Sequence, residues 1–447
     1  MNNVLIRGRV LTFVAEPNGI DDTSSYRYVE DGAVLVREGK IAAVGSYGEV
    51  SKAAGAGHSV ADHRPNLVLP GFIDTHLHFP QTQAIASYGA QLLEWLNTYI
   101  FVEEQKFART AHAAGVADRF MDELLSNGTT TAVAYCSVHS QSVDAYFAAA
   151  EARGMCVIGG KVMMDRNAPE QLRDTPQRSY DETKRLIAKW HGRGRARYAI
   201  SPRFAITSSP EQLEMSRALV AEHPDCYVQT HLSENRDEIA FATSLYPRAK
   251  DYTDIYARYG LLNDRTFLGH CIHMSDREVG ALAETGAVAV FCPTSNLFLG
   301  SGLFDAARFD KLGARWSVAT DVGAGTSFSM LETMDEAYKV LHLQGQRLTP
   351  LNSFYRMTRG NALALGLERS IGSLEAGSDA DIVILDARAK SAMEYRMHTA
   401  TSLAEELFIL QTMGDDRCID EVYVSGKPMK TKVRRKSALA SRTLETA

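Results

Sequence analysis

Between residues 69 and 368, short apolar runs alternate with amphipathic segments about eight times. The apolar runs end near His78, Tyr135, Asp165, Arg203, His231, His270, Pro293 and Asp321. Between them, segments such as Ala111–Leu125, Glu211–Ala221 and Asp276–Glu284 carry apolar residues at helical spacing. Repeated strand-then-helix units imply a parallel sheet, and eight of them predict a closed (β/α)8, or TIM, barrel over residues 69–368. The flanks read differently. Val4-Leu-Ile-Arg-Gly8, Gly32-Ala-Val-Leu-Val-Arg37 and Lys40-Ile-Ala-Ala-Val-Gly45 are β-rich runs broken by Gly, Asp and Glu. Gly372–Asp386 reads as turn then strand, and Asp420–Lys427 as strand then turn. Residues 1–68 and 369–447 are therefore expected to join in one small composite β domain, a β-sandwich built from both termini.

A barrel of this kind places its chemistry at the C-terminal ends of its strands. Polar residues interrupt the apolar runs at those ends. The first such run, Leu67-Val-Leu-Pro-Gly-Phe-Ile-Asp-Thr-His-Leu-His78, reads as a buried strand ending in His-x-His. Strand alternation puts His76 and His78 on one face, where two neutral imidazoles can close on one cation. A hydrogen-bonded core pair is the plainer alternative. His231 ends the fifth run and adds a third imidazole. Asp321 ends the eighth, which neighbours the first in a closed barrel, so its carboxylate can complete a three-His, one-carboxylate set; a helix N-cap is its simpler role. Glu234, three residues past His231, is placed to move a proton between water and substrate. His270 is expected to be a second-metal ligand or a neutral hydrogen-bonding group. Lys161 is the candidate for a carboxylated lysine bridging two metals, but it sits before the end of its strand, so one metal fits better than two.

A composition of 45% hydrophobic and 23% charged residues is that of an ordinary globular chain, and a net charge of −6 gives no reason to expect nucleic acid as a partner. The basic run Lys430–Lys436 reads as a solvated strand end or tail. Six scattered cysteines without a Cys-x-x-Cys pair point to a reducing compartment. The N-terminal residues do not read as a secretory signal, and no apolar run is long enough to span a membrane, so a cytoplasmic protein with no membrane partner is expected.

Pro70-Gly-Phe-Ile-Asp-Thr-His-Leu-His78 resembles the opening signature of the amidohydrolase superfamily. Further segments resemble its guanine deaminase branch: His76-Leu-His-Phe-Pro-Gln81, Leu92-Leu-Glu-Trp-Leu96, Ser201-Pro-Arg-Phe204, Gln229–Arg236, Cys292-Pro-Thr-Ser-Asn296 and Thr320–Gly325. The resemblance implies one zinc ion (Zn2+) per chain, held by His76, His78, His231 and Asp321. It implies that Glu234 shuttles protons and that His270 hydrogen-bonds the attacking water or the forming intermediate, both facing the substrate. It further implies that Gln81, Arg203 and Phe204 hold the purine, that guanine is the substrate, and that the protein is a homodimer. A planar guanidinium at Arg203 suits the carbonyl and N7 edge of guanine. Other amino-heterocycles, such as 8-oxoguanine or an s-triazine, are the alternative substrates.

Overall fold

The chain enters through four strands, β1 (Val4–Phe13), β2 (Tyr26–Arg37), β3 (Lys40–Ser46) and β4 (Ser59–Pro70). Barrel strands follow: β5 (Phe72–His78), β6 (Thr129–Tyr135), β7 (Cys156–Gly160), the two-residue β8 (Val162–Met163), β9 (Ala196–Pro202), β10 (Tyr227–Leu232), β11 (Thr266–His270), β12 (Val288–Phe291) and β13 (Arg315–Val318). The last strands are β14 (Ile382–Leu385), β15 (Ile419–Val424) and β16 (Lys427–Pro428). The structure is a computed structural model and describes residues 4–89 and 91–430.

Eight parallel strands run in the order β5-β6-β7-β9-β10-β11-β12-β13, with β8 pairing β9 to one side. The ring is closed between its first and last members. Thr75 Oγ1 lies 2.9 Å from Ser317 Oγ and donates to the Val318 carbonyl at 3.1 Å, and the Asp321 N–H donates to the His76 carbonyl at 3.0 Å. Ile73, Val133, Ile158, Ala199, Phe267 and Val290 point inward and form the packed plug beneath the barrel mouth. Outside, the helices start and stop where local chemistry dictates. Thr110–Ser126, Pro210–Glu222 and Asp276–Thr285 lie within a residue of the expected spans. Ser209 caps the second with Pro210 at its first position, Ser275 and Glu278 form a capping box on the third, and Gly286 ends that helix at φ 73°.

The ends of the chain meet in one seven-stranded sheet, ordered β16-β15-β14-β4-β1-β2-β3. It curls on itself: the Gly39 carbonyl in the β2–β3 turn accepts from Ala380, whose own carbonyl accepts from Gly426 in the β15–β16 turn. Ile6, Val10, Val34, Val68, Ile382 and Ile384 share the enclosed face.

Three expectations need correction. Leu67–His78 is not one strand. It divides at Gly71 into β4, which belongs to the curled sheet, and β5, which opens the barrel. A Cβ at Gly71 would stand 2.3 Å from Thr130 Oγ1, so only glycine passes the crossing. The C-terminal part is not uniformly β. Helices Ser391–Met397 and Leu403–Met413 interrupt it, and the second is joined to β1 by the Arg9–Glu406 ion pair. Lys430, read as part of a solvated basic run, is buried with its ammonium on the Asp416 and Ile419 carbonyls; residues 431–436 of that run lie outside the described residues. Among the described residues no helix is long and apolar enough to cross a membrane.

Candidate active site

The polar residues at the strand ends converge at the barrel mouth. His76 and His78 share a face of β5, with ring centroids 5.2 Å apart. His231 approaches from β10 and places Nε2 3.1 Å from His78 Nε2. Asp321 lies three residues past β13, at φ 52°, with Oδ1 3.4 Å from His76 Nε2 and 3.5 Å from His78 Nε2. His76, His78 and Asp321 are buried, and His231 is partly buried. Burial holds the His78 and His231 imidazoles well below the usual range, so both are neutral. His231 Nδ1 sits 2.7 Å from the Arg203 carbonyl. A carbonyl only accepts, so that nitrogen carries the proton and Nε2 presents a lone pair to the centre.

Glu234 is reached through Ser233, whose φ of 52° turns the chain back towards the mouth. Its backbone N–H is held by Glu238 Oε2 at 2.8 Å, and its Oε1 accepts from Ser301 Oγ at 2.9 Å. Its Oε2 lies 3.4 Å from His270 Nε2. Burial pushes the Glu234 carboxyl well above the usual range and that of Glu238 up to about 7. His270 Nδ1 lies 3.0 Å from Asn296 Nδ2. With Asn296 in this orientation the ring is protonated on Nε2, which faces Glu234 and, at 3.9 Å, Asp321 Oδ2. His76, His231 and His270 also present ring nitrogens within 4.8 Å of one another. Spacing alone therefore does not separate His78 from His270 as the third imidazole; the rings differ in their partners, His270 Nδ1 facing Asn296 Nδ2 and His231 Nδ1 the Arg203 carbonyl.

The facing wall carries Arg203, Gln81 and Phe204. Arg203 and Gln81 are buried and both donate to Glu104: Arg203 Nη1 at 2.9 and 2.8 Å, Gln81 Nε2 at 3.1 Å. Phe204 lies 6.4 Å, ring to ring, from His231. Leu92, Trp95 and Leu96 roof the space, while Glu94 of the same segment is exposed. The pocket so formed measures about 410 Å³, open solvent at its mouth included. Nine of the ten residues singled out from the sequence are brought together here, Lys161 being the exception. Those missed are Glu104, Ser301 and Asn296. Asn296 ends a quoted motif, but nothing in the sequence signals Glu104, one of two adjacent glutamates in a short helix.

A model of the amidohydrolase family matches residues 67–429. The chain belongs to the amidohydrolase family. Guanine deaminase of Escherichia coli (strain K12) is 46% identical over 404 residues, which cover 90% of this chain and 92% of that protein. The solved structure of E. coli guanine deaminase matches with a TM-score of 0.92 and 42% identity over 96% of this chain and 99% of the other. Guanine deaminase from C. acetobutylicum, solved with guanine bound in its active site, matches with a TM-score of 0.86 and 29% identity over 96% and 100%.

Amidohydrolases are metal-dependent, and this site fits a metal. Ligands about 2.0–2.1 Å from a tetrahedral zinc stand about 3.3 Å from one another. The three separations of 3.1, 3.4 and 3.5 Å among His78, His231, His76 and Asp321 match that spacing. His76 Nε2 is buried without a hydrogen-bond partner, which a ligand bond would supply. Gly269 makes room for that ring, since a Cβ there would lie 2.6 Å from His76 Cε1. Gly269→Ala is expected to displace the imidazole and weaken metal affinity by about 10–100-fold. Elemental analysis after dialysis against a graded chelator checks this.

Lys161 takes no part in the amidohydrolase centre. It is fully buried and pairs with Asp174, and lies 3.7 Å from Glu182 in the helix Pro176–Trp190, away from the histidines. Lys161→Met should cost about 3–5 kcal/mol of stability by taking the ammonium from the buried Asp174 carboxylate, while Glu182 keeps Arg178 and Ser140. Metal content per folded chain should not change. A halved metal content would bring back a bridging role.

Proposed function

We infer that this amidohydrolase converts guanine and water to xanthine and ammonia. The observation that carries the reading is the placement of the Arg203 guanidinium across one small pocket from Glu234 and the histidine cluster. His76, His78 and His231, through Nε2, and Asp321 would hold one zinc ion. When bound, the metal lowers the pKa of water and offsets developing negative charge. Arg203 and Gln81 bind the carbonyl-bearing edge of the purine, and Phe204 and Trp95 present apolar surface to its ring. That orientation turns C2 and its amino group towards Glu234. Glu234 takes a proton from water as the oxygen attacks C2, and delivers it to ring N3. His270, protonated on Nε2, donates to the oxygen now at C2. Glu234 then takes the remaining proton of that oxygen and delivers it to the amino group, so collapse of the tetrahedral carbon expels ammonia and leaves the C2 carbonyl of xanthine. The Leu92–Leu96 roof excludes bulk water from these transfers.

Cytoplasmic location and a homodimer belong to the same reading; six free, buried cysteines support the reducing compartment, and sedimentation tests the dimer. The decisive assay is ammonia release by metal-quantified protein. Guanine is tested beside 8-oxoguanine, adenine, cytosine and an s-triazine amine. Preferential conversion of guanine to xanthine is expected, and preference for another amine would overturn the substrate assignment.

A further inference from the structure

We propose that Glu104 is a positioning residue that makes the pocket selective for a purine bearing a 6-oxo group, by holding Arg203 and Gln81 in the orientation that reads it. The proposal rests on the guanine reading above. Glu104 ends the short helix Phe101–Glu104 and is 1% exposed. Nothing else about it invites burial: it lies 99 residues from Arg203 in sequence and ligates no cluster histidine. Its two oxygens receive three hydrogen bonds, two from Arg203 Nη1 and one from Gln81 Nε2. Behind it, the Phe101 ring backs the guanidinium, with Arg203 Cζ 5.5 Å from the ring centroid. Gln81 Oε1 is in turn 3.4 Å from the Gly323 N–H, so its amide is held at both ends.

The chemistry calls for a carboxylate. Three donor contacts converge on one group, and an ionised carboxyl is acceptor-only with about four lone-pair sites. A glutamine has one acceptor oxygen and a donor NH2, so at least one contact would set donor against donor. The carboxylate also balances a buried guanidinium that would otherwise be an unpaired charge in the pocket wall. The same Arg203 carbonyl orients His231, so the residue that reads the substrate is tied to the residue that holds the metal.

The test compares guanine with 2-aminopurine, which keeps the reacting 2-amino group but lacks the 6-oxo group. Its kcat/KM is read beside that of guanine, or its inhibition constant where turnover is too slow. In Glu104→Gln, kcat/KM for guanine should fall by about 30–100-fold, mostly through KM, while 2-aminopurine changes by less than about threefold. Metal content should stay at the wild-type value. Glu104→Asp keeps the charge and withdraws it by one methylene, so it should show the same selective loss in milder form, and it serves if the amide variant does not fold. Equal losses for both purines in the folded variants would make Glu104 merely structural and overturn the proposal. In an Arg203→Ala background, Glu104→Gln should cost guanine turnover much less than it does in the wild type, because only its contact with Gln81 is left to lose; a fully additive loss would also overturn it. Wild-type protein that does not deaminate guanine would overturn the guanine reading itself, a result separable from an unchanged purine ratio in an active enzyme.

Discussion

Glu234→Gln is expected to lower kcat for guanine by about 10⁴-fold while leaving metal content and fold intact. The substitution conserves volume, and its amide oxygen can still accept from Ser301 Oγ, 2.9 Å away in the wild type. The backbone anchor on Glu238 Oε2 is untouched, so the side chain should stay where it is. What is lost is the ability to take a proton from water and return it to the ring. No other group stands in. His270 Nδ1 is committed to Asn296, Asp321 faces the histidines, and Glu238 is spent on the backbone N–H groups of Glu234 and Asn235. Because burial already pushes the Glu234 carboxyl well above the usual range, replacing it with a neutral amide should not destabilise the fold, and Tm should be equal or higher. Ammonia release, elemental analysis and a thermal melt on one preparation check all three. Retention of more than about a tenth of the activity, against the roughly 10²–10⁴-fold expected of a general acid–base group, would remove Glu234 from the proton path. Loss of the metal would make it a support for the cluster instead.

The parts of the site that could be read from the sequence share a physical reason. His76 and His78 are two apart, and strand alternation alone puts them on one face. His231, His270 and Asp321 each end an apolar run, and barrel geometry gathers such ends whatever lies between them. The helices were legible because apolar residues recur at helical spacing along Ala111–Leu125, Glu211–Ala221 and Asp276–Glu284. Glu104 was not legible: it follows a run of short helical turns without a repeating pattern, and its burial depends on a partner from a distant strand. Ser301 meets Glu234 across 67 residues and carries no local signal. The sheet change at Gly71 was hidden because Leu67–Leu69 and Phe72–Ile73 are equally apolar on either side of it. The helix Leu403–Met413 sits in a stretch short of turn residues, which a helical period could have flagged against the β texture around it.

Removal of the metal should abolish guanine turnover and lower Tm, and one equivalent of zinc should restore both. Without a cation the centre is poorly satisfied. His231 Nε2 presents a lone pair 3.1 Å from His78 Nε2, and His76 Nε2 has no partner. Protonation offers little relief, because burial holds His78 and His231 well below the usual range. A bound cation satisfies these nitrogens and Asp321 together, and the unfolded chain offers no such cluster, so binding counts towards folding. At a free zinc concentration 1,000-fold above Kd, the native state gains about 4 kcal/mol. That gain is large against the stability of an ordinary domain, so the melt should move by several degrees as zinc is added. Unchanged Tm and full activity after stripping would show that the cluster is not a metal site. Saturation at two equivalents, with activity following the second, would reject the single-metal centre and require a bridging ligand, and Lys161 would have to leave Asp174 to supply it.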